Sequence, residues 1–195
     1  LKSRGEIMQN AYEPNQSVMA AIIGLNCLQI DKIINEKKLK VEVANDNSPM
    51  QVVISGIKED ILMSENIFNE NGAKKFVLLN VSAAFHSHLM NDAQIKMNLL
   101  INKVEFKESN ISIISNYNAQ ILDKTKDIIF SLSKQMANRV RWVESILSLK
   151  NINENNIIEI GPGKVLSGLI KRIDREINII NLEKVLDIKE FKNEL

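Results

Sequence analysis

The sequence has few of the residues that cross-link, bend or strongly charge a chain. Cys27 is the only cysteine among 195 residues, which excludes an internal disulfide and a metal cage of cysteines and indicates a reducing, cytoplasmic location. Seven glycines and three prolines are about half the usual share, so long flexible linkers are not expected. Lysine and arginine exceed aspartate and glutamate by only 25 to 24, which argues against binding nucleic acid through phosphate neutralisation.

The sequence also lacks the pattern of a membrane-spanning segment and that of a signal peptide. No apolar run approaches the roughly 18 residues of a membrane span, and no signal-peptide pattern opens the chain. Hydrophobic residues make up 45% and charged residues 25%, the proportions of a folded globular protein. The chain begins at Leu1 without an initiator methionine, and residues 1–11 have the pattern of the end of a helix. We therefore expect the chain to be part of a longer protein.

Residues 12–81 predict a small domain with its own sheet. Apolar runs indicate strands at 17–23, 41–44, 51–55 and 76–79. Between them, apolar residues at helical spacing predict helices around 28–39 and 57–70, and the polar residues 45–49 have the composition of a turn. The resulting order βαββαβ is that of the ferredoxin-like unit.

Residues 82–195 predict a second arrangement, in which helices alternate with strands. Such alternation favours a parallel sheet covered by helices, that is, an α/β fold. The strand candidates lie at 111–114, 156–160 and 177–180, and the helix candidates at 88–104, 125–136, 142–149, 164–175 and 184–195.

The two histidines of the sequence, His86 and His88, share one loop. Three interpretations fit this local pattern: two surface polar residues, a metal-binding pair, or a general base. A zinc site would lack its remaining ligands, whereas histidine is the side chain best suited to moving protons near neutral pH. A nucleophile for such a base is missing, because no Gly-x-Ser-x-Gly segment occurs and Cys27 is interpreted as a structural thiol.

Two other motifs complete the pattern. Gly161-Pro162-Gly163-Lys164 is followed by Val165, so it lacks the Ser or Thr of a phosphate-binding loop and predicts a sharp turn into a helix. Asn45-Asp46-Asn47-Ser48-Pro49 precedes an apolar strand. Together with Phe85-His86-Ser87, these motifs resemble blocks of the malonyl-CoA:acyl carrier protein transacylases. The similar segments are residues 1–8, 18–25, 45–56, 81–90 and 158–172, in the family's order; Met50, Arg139 and His88 depart from its usual residues.

The resemblance implies a fold and a reaction. The fold would be an α/β-hydrolase-like large subdomain, partial here (residues 1–11 and 82–195), with the ferredoxin-like unit inserted as residues 12–81. The reaction would transfer a malonyl group from malonyl-CoA to the phosphopantetheine thiol of acyl carrier protein through a seryl ester. The serine block precedes Leu1 in this alignment, so we expect the 195 residues alone to be inactive. The partners would be malonyl-CoA and acyl carrier protein, with no metal, no cofactor, no nucleic acid and no membrane.

The resemblance also assigns roles to residues. His86 would be the general base, oriented by the backbone carbonyl of Gln135 in place of the usual aspartate. Arg4 would bind the free carboxylate of malonate as a bidentate pair. Phe85 would restrict the space beside the α-carbon of the acyl group, with core packing as its other interpretation. Asn45 and Asn47 would border the cleft, and a role in forming the turn is an equally good interpretation.

A different class of protein remains as the alternative, a non-catalytic binding or scaffold module. The ferredoxin-like unit is also the architecture of RNA-recognition domains, which need aromatic residues on their strands to stack bases. Aromatic residues make up only 5% of the chain, and the aromatic signature motif of those domains is absent. An upstream sequence with a Gly-x-Ser-x-Gly block would favour the enzyme.

Overall fold

A computed structural model describes residues 1–13, 16–81 and 83–194. The chain divides into two compact units, Leu1–Ser145 and Ile146–Leu195. The first unit begins with helix α1 and then forms the ferredoxin-like unit. Its elements are α1 (Lys2–Gln9), β1 (Ser17–Ile23), α2 (Cys27–Lys37), β2 (Val41–Ser48), β3 (Gln51–Ile57), α3 (Lys58–Glu70) and β4 (Lys75–Leu78).

The four strands form one antiparallel sheet in the order β2-β3-β1-β4. Helix α2 begins at a capping box, in which Asn26 and Gln29 each accept a hydrogen bond from the other's backbone N–H at 2.9 Å, and it ends at Lys38 in the left-handed conformation. Fully buried apolar side chains from β1, β3 and both helices form the core between helices and sheet: Ala20, Ile22, Ile30, Ile54, Ile61 and Phe68. The predicted βαββαβ order is therefore observed.

The prediction of a turn at residues 45–49 is wrong, because strand β2 continues through Ser48. The polar residues favour a turn, but backbone hydrogen bonds on both edges of the strand stabilise the extended conformation instead. One edge pairs with β3, with irregularities at Val43/Asn45 and Asp46/Ser48. On the other edge, Asp46 N–H donates to the Val140 carbonyl at 2.9 Å, and Val140 N–H donates to the Ala44 carbonyl at 2.8 Å. The chain turns later, at Pro49 and Met50.

The rest of the first unit consists of short elements. A 3₁₀ turn at His88–Met90 leads into α4 (Asn91–Ile101), followed by the hairpin β5 (Ile113–Ile114) and β6 (Ile121–Leu122) and by α5 (Thr125–Leu132). The helix predicted over 125–136 thus ends at Leu132, so residues 133–140 run outside any helix. Strand β6 was not predicted.

The second unit contains one parallel strand pair. Helix α6 (Trp142–Leu147) includes the last residues of the first unit and the first of the second. A 3₁₀ turn (Ser148–Ile152) then leads into β7 (Asn156–Ile160), α7 (Val165–Ile173), β8 (Asn178–Leu182) and α8 (Val185–Glu194). Strands β7 and β8 pair in parallel from Asn156↔Asn178 to Ile160↔Leu182, as the alternation predicted. The third strand candidate, 111–114, does not join them, because β5 pairs antiparallel with β6 in a local hairpin. Of the helices in the described ranges, none combines the length and apolarity needed to cross a bilayer.

Candidate active site

The histidine loop follows β4 and is held by buried contacts. Ala83, Ala84 and Ser87 are fully buried; Ala84 N–H donates to the Ser17 hydroxyl at 3.1 Å, and the Ser87 hydroxyl donates to the Ala84 carbonyl at 2.8 Å. Between them, His86 has φ = 59°, a left-handed backbone that costs a non-glycine residue about 1–2 kcal/mol. Such conformations are concentrated at functional sites, where the surrounding contacts maintain them.

The His86 ring is fixed by backbone carbonyls. Nδ1 lies 3.0 Å from the Gln135 carbonyl oxygen and 3.2 Å from that of Asn138, and His86 N–H donates to the Met136 carbonyl at 3.1 Å. Carbonyl oxygens only accept hydrogen bonds, so the hydrogen of the neutral ring resides on Nδ1. Nε2 is therefore the basic nitrogen, with a lone pair available for a proton.

The electrostatic surroundings keep this imidazole neutral. Burial lowers the pKa of His86, the positive charge of Arg4 lowers it further, and the Gln135 and Asn138 carbonyls act in the opposite direction. The net pKa lies below the ordinary value of 6.5. A neutral imidazole with a fixed tautomer at neutral pH is the form that a general base requires.

Arg4 lies on α1 and lines a cavity of about 410 Å³ that Gln135 and Met136 also line. Burial lowers the pKa of Arg4, yet the guanidinium remains charged at neutral pH. A half-buried, charged guanidinium is suited to pairing with an anion. The structure thus brings together three of the residues that the sequence selected, namely Arg4, His86 and Gln135.

Phe85 is partly buried and packs against two groups of core residues. One comprises Met19, Ala21, Ala44 and Val53 from the sheet, and the other comprises Met8, Ala93 and Met136. Phe85 therefore joins the sheet of the ferredoxin-like unit to the elements around His86. This packing fits both interpretations, because a side chain beside the base can also limit the space for substrate.

Asn45 and Asn47 lie on β2 in its irregular half. A second cavity, of about 350 Å³, lies beside His86. Among the described residues that line it are Val43, Asn138 and Arg139, while Asn45 and Asn47 are not included. Their role at a cleft remains a prediction.

Three contacts near His86 were not found from the sequence. The Asn138 carbonyl is a second acceptor for the ring. The Arg139 guanidinium pairs with Asp31, 108 positions earlier. His88 donates to the Glu42 carboxylate through both its backbone N–H and Nδ1. The side-chain sequence does not indicate which backbone carbonyl accepts a hydrogen bond. The partners of the two charged pairs are too far apart along the chain to be predicted from a local pattern.

Cys27 behaves as a structural thiol. Burial raises its pKa to about 12, so the thiol stays protonated and is a poor nucleophile. Within the described part of the chain, no three His, Cys, Asp or Glu side chains are grouped so as to hold a metal ion.

The N-terminus of α7 in the second unit already has an anionic partner. The Glu159 carboxylate accepts hydrogen bonds from the backbone N–H groups of Leu166 (3.0 Å) and Ser167 (2.9 Å). These groups would otherwise be free to bind an anion. Gly161 and Gly163 adopt φ values of 135° and 84°, which supports their interpretation as a sharp turn into the helix.

No family model matches the chain, but individual proteins do. It is 38% identical over 184 residues to the malonyl CoA-acyl carrier protein transacylase of Bacillus subtilis, covering 92% of this chain and 58% of that protein. The crystal structure of an acyl carrier protein S-malonyltransferase from Vibrio cholerae superposes with a TM-score of 0.92 at 32% identity, covering 97% of this chain and 63% of that one. A second solved structure, of a type II PKS acyl-carrier protein in complex with its malonyl-transacylase, superposes with a TM-score of 0.90 at 32% identity. The match covers 97% of this chain and 62% of that one.

These similarities cover nearly all of this chain but only part of each relative. The chain spans about three fifths of the length of the transacylases of Bacillus subtilis and Staphylococcus aureus (58% and 62%). Within that span, the comparisons confirm the resemblance stated from the sequence and an α/β fold.

Proposed function

We propose that this chain is part of a malonyl-CoA:acyl carrier protein transacylase, which moves a malonyl group from coenzyme A to the phosphopantetheine thiol of acyl carrier protein in fatty-acid synthesis. The observation that supports this most directly is His86, a half-buried neutral imidazole with Nδ1 held by the Gln135 and Asn138 carbonyls. The similarity to named transacylases supplies the identity of the reaction.

In the proposed first step, Nε2 of His86 accepts the proton of a serine hydroxyl while the serine oxygen attacks the thioester carbonyl of malonyl-CoA. The tetrahedral intermediate collapses, the C–S bond breaks, and the coenzyme A thiolate takes the proton from Nε2. The second step repeats this sequence with the carrier thiol as nucleophile, and the serine regains its proton. Because the 195 residues contain no Gly-x-Ser-x-Gly segment, we propose that the serine lies outside them.

The neutral acceptor on Nδ1 suits this chemistry. A carbonyl fixes the tautomer and orientation of the ring, as the aspartate of a Ser-His-Asp triad does, without adding a negative charge. The imidazolium that forms during each step is stabilised by the two carbonyl oxygens. Gln135 therefore acts through its backbone oxygen.

Arg4 is proposed to bind the free carboxylate of the malonyl group. Its half-buried guanidinium strengthens a bidentate ion pair relative to one in bulk water. An acetyl group has no such carboxylate, so Arg4 would favour malonyl-CoA over acetyl-CoA. Phe85, Asn45 and Asn47 are proposed to border the same site. Residues 1–11 and 82–195 would belong to an α/β-hydrolase-like large subdomain.

Acyl carrier protein is the proposed acceptor, and the reaction is placed in the cytoplasm. The acceptor is supported by a similar malonyl-transacylase whose structure is a complex with an acyl-carrier protein. The location is supported by the single thiol, Cys27, which forms no disulfide.

The test is malonyl transfer by the complete protein that contains this chain. We expect His86→Ala to lower the rate of ester formation by about 10²–10⁴-fold, because the serine would lose its base. His88→Ala is the matched control in the same loop and should retain nearly full activity, since the backbone N–H of residue 88 can still donate to Glu42.

Two results would contradict the proposal. Equal losses in both variants would mean that His86 is not the base or that the two histidines act as a pair. A complete protein that has no serine segment and forms no malonyl ester would favour the non-catalytic scaffold.

A further inference from the structure

The segment Gln135–Arg139 determines how the His86 ring is held. It supplies the Gln135 and Asn138 carbonyls to Nδ1 and the Met136 carbonyl to the His86 backbone N–H. This segment lies outside any helix, so its conformation depends on tertiary contacts. Whatever anchors it also sets the positions of the acceptors of His86.

Backbone and amide contacts anchor this segment at two points. Met136 N–H donates to the side-chain oxygen of Gln94 on α4 at 2.8 Å. At the other end, Val140 pairs with the edge of β2. Between these points, the Asn138 side-chain amide donates to the nearby Lys134 carbonyl at 2.8 Å. The Arg139 side chain connects residues 137–139 to a distant element, helix α2.

The Arg139 guanidinium forms a bidentate pair with Asp31 on α2. Nη2 lies 2.6 Å from Oδ1 and Nη1 lies 3.0 Å from Oδ2; Nη1 also lies 3.1 Å from the Cys27 sulfur, one turn earlier on the same helix. The side chains are only 26% and 34% exposed. A pair with this geometry and partial burial is more restrictive than the usual surface ion pair.

Helix α2 is a rigid support for this pair. The residue before Asp31, Ile30, is fully buried in the helix–sheet core, and Ile33 is 7% exposed in the same core. The carboxylate is therefore attached to a packed element and holds the guanidinium in place. Because Arg139 directly follows Asn138, this contact restrains the carbonyl that lies 3.2 Å from Nδ1.

We infer that Asp31 and Arg139 are positioning residues for His86: their ion pair fixes residues 137–139 so that the backbone carbonyls select the Nδ1–H tautomer. The inference rests on the proposed function, since it concerns the base of that reaction. Without the pair, the Asn138 carbonyl can move away from the ring. Nδ1 then has the Gln135 carbonyl alone of the two acceptors, and the Nε2–H tautomer becomes partly populated. That tautomer has no lone pair on the nitrogen facing the nucleophile and cannot act as the base.

The experiment compares two single variants of the complete protein, their combination and a control. Asp31→Asn keeps the shape of the side chain but removes its charge, and Arg139→Gln removes the guanidinium. The matched control is Glu36→Gln, which breaks the exposed pair between Lys32 and Glu36 (3.7 Å) on the same helix. Single-turnover ester formation from malonyl-CoA measures the rate. Nitrogen-15 NMR of labelled histidine, with His86→Gln to assign the signal, measures the tautomer of the neutral ring.

We expect each single variant to lose about 10- to 100-fold in the rate of ester formation and to populate the Nε2–H tautomer of His86. The KM for malonyl-CoA should change little, because the carboxylate of the malonyl group is proposed to bind Arg4 and not this pair. The double variant should be no worse than either single one, since both break the same contact. Glu36→Gln should match the parent in both measurements.

A His86 ring that stays entirely in the Nδ1–H form in both single variants would overturn the inference, whether or not the rate falls. The NMR result is independent of activity. A parent protein with the expected tautomer but no malonyl transfer would contradict the proposed function, while the response of the tautomer to Asp31→Asn would still decide this inference.

Discussion

At the scale of single residues, His86 differs from an ordinary surface histidine in both backbone and ring. Its positive φ is maintained because Ser87, which follows it, and Ala84, two residues before it, are fully buried and hydrogen-bonded. Its ring has two carbonyl acceptors beside Nδ1. His88, two positions later, is exposed and pairs with Glu42. The same residue type in one loop thus has two different chemistries, decided by burial and partners.

The pH dependence of activity should report the charge of Arg4. The positive charge of Arg4 lowers the pKa of His86, so Arg4→Gln should raise that pKa. Activity is lost where His86 becomes protonated, and the acid limb of kcat/KM should therefore move to higher pH. Lys2→Gln, on the exposed side of the same helix, is the control and should leave the limb unmoved. An unshifted limb in Arg4→Gln would show that Arg4 does not act on the base.

Phe85 provides a prediction about the choice of acyl group. An aromatic ring beside the α-carbon leaves little space for a methyl branch, and one methyl group is usually worth about 1–3 kcal/mol, or roughly 10- to 200-fold. Phe85→Ser should therefore raise kcat/KM for methylmalonyl-CoA relative to malonyl-CoA. The variant should also have a lower Tm, because Phe85 packs against two core groups.

Phe85→Leu is the control for this change, since it retains most of the packing. If the ratio of kcat/KM for the two substrates in Phe85→Ser stays within about twofold of the parent's, a change worth only ~0.4 kcal/mol, Phe85 does not select the acyl group and its role is core packing.

At the scale of secondary-structure elements, helix α7 shows how a short polar network stabilises a helix end. The Glu159 carboxylate on β7 accepts from two backbone N–H groups of the first turn, and Asn181 on β8 donates to it at 3.0 Å. These bonds hold the pKa of Glu159 below its ordinary value, with the Ser167 hydroxyl contributing most. One carboxylate thus joins both strands of the parallel pair to the helix between them.

Glu159→Ala should destabilise this unit by about 1 kcal/mol, the usual effect of removing a helix cap. The contribution of the carboxylate should be present above its ordinary pKa and lost as pH falls through the lowered value. Urea unfolding measures the loss, and hydrogen exchange of the Leu166 and Ser167 amides should become faster. Glu183→Ala, which removes an acceptor of Gly163 N–H before the helix, should leave those two amides unchanged. Equal exchange rates in the parent and Glu159→Ala would contradict the capping role.

At the scale of the whole molecule, the candidate site is assembled from distant parts of the sequence. Met8 on α1, Ala93 on α4 and Met136 form one buried cluster, and Phe85 packs against it. This cluster holds together α1, which carries Arg4, the His86 loop and the segment with the carbonyl acceptors. Apolar packing therefore determines the distances between the polar groups of the site.

The 195-residue chain by itself should form no malonyl ester. It contains the proposed base and carboxylate-binding residue, but no Gly-x-Ser-x-Gly serine, so no activated hydroxyl is present to attack the thioester of malonyl-CoA. Incubation with labelled malonyl-CoA and protein precipitation measure the bound label, and the complete protein is the positive control. Stable label on any residue of this chain would contradict the proposed mechanism.

Much of this fold followed from local patterns. A run of small and apolar residues predicted strand β1 with its observed bounds, because a strand inside a sheet is buried along its length. Further apolar runs and helical spacings predicted the βαββαβ order. The loop with His86 and the glycine turn before α7 were also evident from composition. The resemblance of five ordered segments then selected Arg4, Phe85, His86 and Gln135.

Other features were decided only by the tertiary structure. Residues 45–48 have the composition of a turn, yet they form a strand because β3 and Val140 satisfy the backbone on both edges. The helix predicted to reach residue 136 ends at Leu132, and the carbonyls beyond it bond to His86. The pairing of Arg139 with Asp31 is equally invisible in a linear pattern. Local composition reports propensity and burial period, whereas the partner of a backbone carbonyl or a charged side chain depends on which distant segment the folded chain places beside it.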